Sequence, residues 1–81
     1  MIEKFKKFVK EEIYNQLMYY DTSSFDWNNK HSGERFYLTA YEDDFEYVKR
    51  RVCNFIASWN AEIYVNMFPD RQYIVVEIWE N

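Results

Sequence analysis

Eighty-one residues, 48% hydrophobic and 22% aromatic, make one small domain with enough apolar surface for a core. A net charge of -4 weighs against a chain that holds nucleic acid through phosphate contacts. The single cysteine, Cys53, excludes an internal disulfide and fits a reducing, cytoplasmic setting.

The first predicted element is a helix from about Ile2 to Tyr20. Ile2, Phe5, Val9, Ile13, Leu17 and Tyr20 follow three- and four-residue steps, which align them on one face. Asp21-Thr22-Ser23-Ser24 should end it, since these side chains compete for backbone hydrogen bonds. This N-terminal stretch has no apolar run of the kind a secretory leader needs, and no run anywhere is long enough to span a membrane.

Phe25 to Asn28 alternates apolar and polar as a half-buried strand does, and Lys30-His31-Ser32-Gly33 supplies a turn. Arg35 to Tyr41 is the second strand. A four-residue loop would pair Trp27 with Phe36 and Phe25 with Leu38, all four facing inward.

A second helix should start near Asp43, with Asp43 as cap and Glu46 completing the capping box. Phe45, Val48, Val52, Phe55, Ile56 and Trp59 form its apolar stripe, with Cys53 beside it as a small packing residue. The last hairpin runs from Glu62 to Trp79 and turns at Pro69-Asp70-Arg71-Gln72. Its register sets Met67 opposite Ile74, Val65 opposite Val76 and Ile63 opposite Ile78, every pair apolar and on one face.

The two halves read as one unit used twice. Phe8 to Asn15 matches Tyr47 to Asn54 at an offset of 39; Phe36/Ile74, Leu38/Val76 and Tyr41/Trp79 match at 38. The expected fold is α+β: a single domain of two αββ repeats, about 1–42 and 43–81, with both helices on one face of a four-stranded antiparallel sheet. The apolar second and fourth strands belong at the centre, which gives the order 1-2-4-3. That topology resembles a permuted ferredoxin-like fold, a likeness of chain path that implies no activity. The alternative arrangement is an intertwined dimer in which each hairpin packs on the other chain.

If those residues face inward, the other sheet face is left open. It would carry Tyr37, Thr39, Tyr41, Glu62, Tyr64, Asn66, Phe68, Tyr73, Val75, Glu77 and Trp79, with Arg35 at its rim. A large aromatic surface with no helix over it points to protein contact or self-association. A base-stacking platform is a third reading, disfavoured by Glu62 and Glu77. The second candidate surface is the acidic run Glu42-Asp43-Asp44-Phe45-Glu46. It is either a solvated helix start or a carboxylate cluster that occupies a basic site on a nucleic-acid enzyme.

No catalytic, cofactor or metal motif stands out. His31, Ser23 and Ser24 are explained by turn chemistry, and one Cys with one His cannot build a usual zinc site. The expected function is therefore a small acidic protein-binding inhibitor or adaptor with no enzymatic activity and no cofactor. An origin in a phage or mobile element would suit it, with a host nucleic-acid enzyme or defence nuclease as target, as for an anti-CRISPR protein. A structural homodimer joined through the aromatic face is the alternative. Weak nucleic-acid binding through the basic helix faces (Lys4, Lys6, Lys7, Lys10, Lys49, Arg50, Arg51) is a further one.

Overall fold

The computed structural model describes residues 1–27, the side chain of Trp27 excepted, and 31–80. The elements run α1 (Ile2–Phe8), β1 (Leu17–Trp27), β2 (His31–Ala40), α2 (Phe45–Ala57), β3 (Ile63–Phe68) and β4 (Tyr73–Glu80). After α1 the helix widens into a π turn over Val9–Ile13 and tightens into a 3₁₀ turn over Tyr14–Gln16. All neighbours in the sheet are antiparallel and the strand order is β1-β2-β4-β3, as the sequence predicts. The helix-strand-strand order of each half is compatible with the repeat.

Sheet parity fixes what lies inside. On one face Tyr20, Leu38, Ile74 and Met67 line up across the four strands. Thr22, Phe36, Val76 and Val65 form the next row, and Ser24, Glu34, Ile78 and Ile63 the third. Over this face lie Phe5, Phe8, Val9 and Ile13 from the first helical stretch and Phe45, Val48 and Val52 from α2, all buried. Phe5 meets the Phe36 ring edge-on at 4.7 Å, and Phe8 stacks on Phe55 at 4.6 Å. Each fully buried side chain of this size contributes about 1.5–3 kcal/mol of transfer free energy, so these rings and aliphatics decide the fold. The pairs Met67–Ile74, Val65–Val76 and Ile63–Ile78 stand in the predicted register.

Among the described residues one buried side chain is charged. Glu34 sits in the third inner row at 8% exposure. Ser24 Oγ donates to its Oε1 at 2.8 Å, and Lys6 Nζ reaches down from α1 to within 2.9 Å of Oε2. The Lys6 ammonium, helped by Ser24, holds the Glu34 carboxyl below its usual range against the opposing effect of burial.

The first half departs from the sequence reading. Helical backbone ends at Gln16, and Leu17 to Ser24 are strand. β2 is ten residues long, and a helix running to Tyr20 would leave Leu38–Ala40 without a partner on that side. The longer β1 pairs them, so backbone hydrogen bonding outweighs the helical spacing of Leu17 and Tyr20. With the strand starting earlier the register moves as well. Phe25 lies opposite Gly33 and Leu38 opposite Tyr20. That odd displacement turns Phe25 onto the outer face instead of into the core. His31, Ser32 and Gly33 belong to β2, and Asn28, Asn29 and Lys30 lie outside the described residues, as does the predicted inward placement of Trp27.

Two smaller expectations fail. α2 is entered through a 3₁₀ turn, Glu42–Asp44, and neither that turn nor α2 has a side-chain cap hydrogen bond, so Asp43 and Glu46 form no capping box. The acidic side chains serve the helix start through the dipole alone, worth a few tenths of a kcal/mol each. Cys53 is exposed, so it does not pack in the core.

Candidate protein-binding face

Among the described residues no helix lies on the other side of the sheet, and its side chains fall into four cross-strand rows. The first is Tyr19, Thr39, Tyr73 and Phe68; the second is Asp21, Tyr37, Val75 and Asn66. Ser23, Arg35, Glu77 and Tyr64 make the third, and Phe25, Gly33 and Trp79 the fourth. Thr39 and Gly33 are six residues apart on β2, so the rows cover about 20 Å of strand. Tyr64, Tyr19 and Phe68 remain 53%, 51% and 45% exposed.

The fourth row is built around the only glycine. A Cβ on Gly33 would land on the Ile78 carbonyl oxygen and 2.6 Å from Phe25 Cζ. Its absence lets the Phe25 ring lie across the backbone and meet the Trp79 ring edge-on at 4.8 Å. Covering a strand glycine with a cross-strand aromatic restores packing that the glycine itself cannot provide. Gly33→Ala is expected to lose about 1–3 kcal/mol by overpacking. Denaturant unfolding measures it. A change within error would mean that Phe25 does not hold this position over the strand.

The third row supplies the polar half of the same cluster. Arg35 Nε donates to Glu77 Oε2 at 2.6 Å, and Trp79 Nε1 donates to Glu77 Oε1 at 2.6 Å. The guanidinium also lies 5.0 Å from the Phe25 ring centre. Arg35 and then Trp79 hold the Glu77 carboxyl below its ordinary range. The result is a pre-ordered patch in which Phe25, Trp79, Arg35 and Glu77 fix one another. Arg35 is thus inside the face and neutralised, where the sequence reading put it at the rim. Tyr37 shares a 3.0 Å hydrogen bond with Ser23, and Tyr64 donates to Glu62 at 2.9 Å.

The predicted site residues divide into two groups. Tyr64, Glu77 and Trp79 gather at the Gly33 end, and Phe68 and Tyr73 at the other, with their rings 5.7 Å apart. Tyr37 lies between. The chain leaves β2 at that second end, so exposed Tyr41 and the acidic turn Glu42, Asp43 and Asp44 follow directly after the Tyr19–Phe68 row. Glu46 stands apart on α2, 3.9 Å from Lys49. The sequence reading missed Tyr19, Asp21, Ser23 and Phe25, the whole β1 share of the face. The signal was present in the alternation Tyr19, Asp21, Ser23, Phe25, but a helix assignment over Leu17–Tyr20 conceals it.

An open groove of about 440 Å³ runs between α1 and β1, lined by Glu3, Lys6, Lys7, Lys10, Tyr20 and Thr22. Among the described residues no cluster of His, Cys, Asp and Glu is arranged to hold a metal ion. No helix among them is long and apolar enough to cross a membrane. Much of the basic helical surface is matched by carboxylates: Lys6 with Glu34, Lys7 with Glu11, Lys49 with Glu46 and Arg51 with Glu12. No family profile, curated protein or solved structure matches the chain.

Proposed function

We propose that this chain is a protein-binding module without enzymatic activity, an inhibitor or adaptor that docks through its open sheet face. The observation that carries this reading is the four-row aromatic surface with its pre-ordered Phe25–Trp79–Arg35–Glu77 patch. Aromatic side chains that are already fixed lose little entropy on binding, and Tyr, Trp and Arg dominate interface energetics. Three carboxylates, Asp21, Glu62 and Glu77, stand on or beside the face against the one guanidinium of Arg35. That balance favours a basic protein partner over phosphates.

The acidic turn extends the proposal. It adjoins the Tyr19–Phe68 row, so one partner can cover aromatic and acidic surface together. A protein with a basic, apolar-lined groove fits both, and the surface of a nucleic-acid enzyme is such a groove. A phage or mobile-element inhibitor of a host defence nuclease, acting in the cytoplasm, is the concrete version of this reading.

Capture from bacterial lysate, followed by affinity measurement on the partner recovered, tests it. Phe68→Glu should abolish stoichiometric capture. Glu42→Lys with Asp44→Lys should weaken it mainly through the association rate at low salt. Failure of the intact chain to retain any stoichiometric partner would sink the proposal. Normal binding by the charge-reversed variant would confine the site to the sheet face.

A further inference from the structure

We infer that β1 is a self-complementary edge, and that two copies join through it into one continuous eight-stranded sheet. The two edges of this sheet are built differently. β3 is six residues long and runs straight into Pro69, so it offers little backbone to a stranger. β1 is eleven residues long and contains neither lysine nor proline, and its pairing irregularity is confined to Leu17/Tyr19 at one end. Long edges normally carry such devices because an unpaired edge is a template for another strand.

The occupant follows from symmetry. A two-fold axis perpendicular to a sheet keeps each side chain on its own face, so the residue on the axis must lie opposite itself. Thr22 is the middle residue of Leu17–Trp27, and an axis there matches the strand along its whole length. Tyr19 then faces Phe25 of the second copy, Asp21 faces Ser23, and Tyr20 faces Ser24. These are an aromatic pair, a carboxylate with a hydroxyl donor, and a pair of hydroxyls, all favourable across strands. An axis on Asp21 would oppose two carboxylates, and one on Tyr20 or Ser23 would leave part of the strand unmatched.

The backbone supports the same centre. The Thr22 N–H donates to Asp21 Oδ1 at 2.8 Å, a carboxylate of the adjacent residue. An amide that finds its acceptor there is turned away from β2 and toward the open edge. Asp21 is a stand-in for the acceptor that a second strand would supply. In the pairing proposed, Thr22 N–H of each copy donates to the Thr22 carbonyl of the other. The aromatic rows of both copies would then form one surface, twice as wide.

Sedimentation equilibrium from micromolar to millimolar concentration tests this, with amide exchange at Thr22 as a local readout. The intact chain should dimerise, and the Thr22 amide should exchange more slowly as concentration rises. Ser23→Asp sets like charges opposite Asp21 at two symmetric places and should weaken the dimer about tenfold. Ser23→Lys should tighten it at low salt, and Asp21→Lys with Ser23→Asp should restore association. Ser23 is exposed, and circular dichroism is to be recorded for each variant as the check that it folds. Should Ser23→Asp fail to fold, Ser23→Lys decides alone: unchanged association at low salt refutes the register. A chain that stays monomeric at millimolar concentration overturns the inference. So does a dimer indifferent to Ser23 but broken by Phe68→Glu, which would place the contact on the sheet face.

Discussion

Phe36→Ala is expected to cost about 3–5 kcal/mol, the largest loss of any single truncation in this chain. Phe36 is fully buried on the central strand β2, between Thr22 and Val76, with the Phe5 ring edge-on above it. Sheet backbone below and α1 above leave the cavity little room to collapse, so both the transfer and the cavity terms apply. A domain of this size holds only about 5–15 kcal/mol in total, and the variant should lose most cooperative unfolding near physiological temperature. Tyr64→Ala and Phe68→Ala remove comparable rings from the outer face, where about half of each residue's surface is already in water. Those changes should stay within about 0.5 kcal/mol, or slightly above where a cross-strand ring is lost. Denaturant unfolding of all three tests the assignment of faces. Equal losses would mean that the outer aromatics are a second core and not an interface.

The contrast between these residues also shows what the sequence carried. Parity alone placed β3 and β4, since Ile63, Val65 and Met67 meet Ile78, Val76 and Ile74 with no competing pattern. The stripe of α2 was equally plain. The region from Leu17 to Tyr20 was ambiguous for a physical reason: Leu17 and Tyr20 satisfy helical spacing after Ile13, and Tyr20 also satisfies the period of a strand with Thr22 and Ser24. Local pattern could not decide between them. The decision came from β2, whose length demanded a partner. The Phe25–Trp79 cluster was hidden by the same ambiguity, because Phe25 reaches the outer face only in the register that the longer β1 imposes. The tertiary role of Gly33 was hidden too, since a glycine near a predicted hairpin reads first as a turn.

Glu34 falls between the predicted turn and the strand predicted from Arg35, with no partner foreseen, and its ion pair gives the second large effect. Lys6→Met should cost about 2–3 kcal/mol at neutral pH, because it leaves a carboxylate in the core with only the neutral hydroxyls of Ser24 and Thr22 to answer it. The cost falls short of that for a pair sealed on both sides, since the Lys6 side chain keeps 34% of its surface exposed. The sign of the pH dependence separates this mechanism from lost packing. In the intact chain the Glu34 carboxyl titrates below its unfolded value. Its contribution is complete above the ordinary glutamate range and is lost as pH falls through the lower folded value. Without Lys6, burial becomes the dominant influence and the folded carboxyl should titrate above its unfolded value. The variant then gains stability as pH falls from that raised folded value to the unfolded one, just above the range in which the intact chain loses it. Melts of both proteins at descending pH should converge. Lys6→Met combined with Glu34→Leu should recover most of the loss at neutral pH, since a buried pair replaced whole by apolar groups of similar size is often neutral. Parallel melting curves, with no convergence in acid and no recovery in the double variant, would show that Lys6 acts through its aliphatic stem and that Glu34 is stabilised by other means.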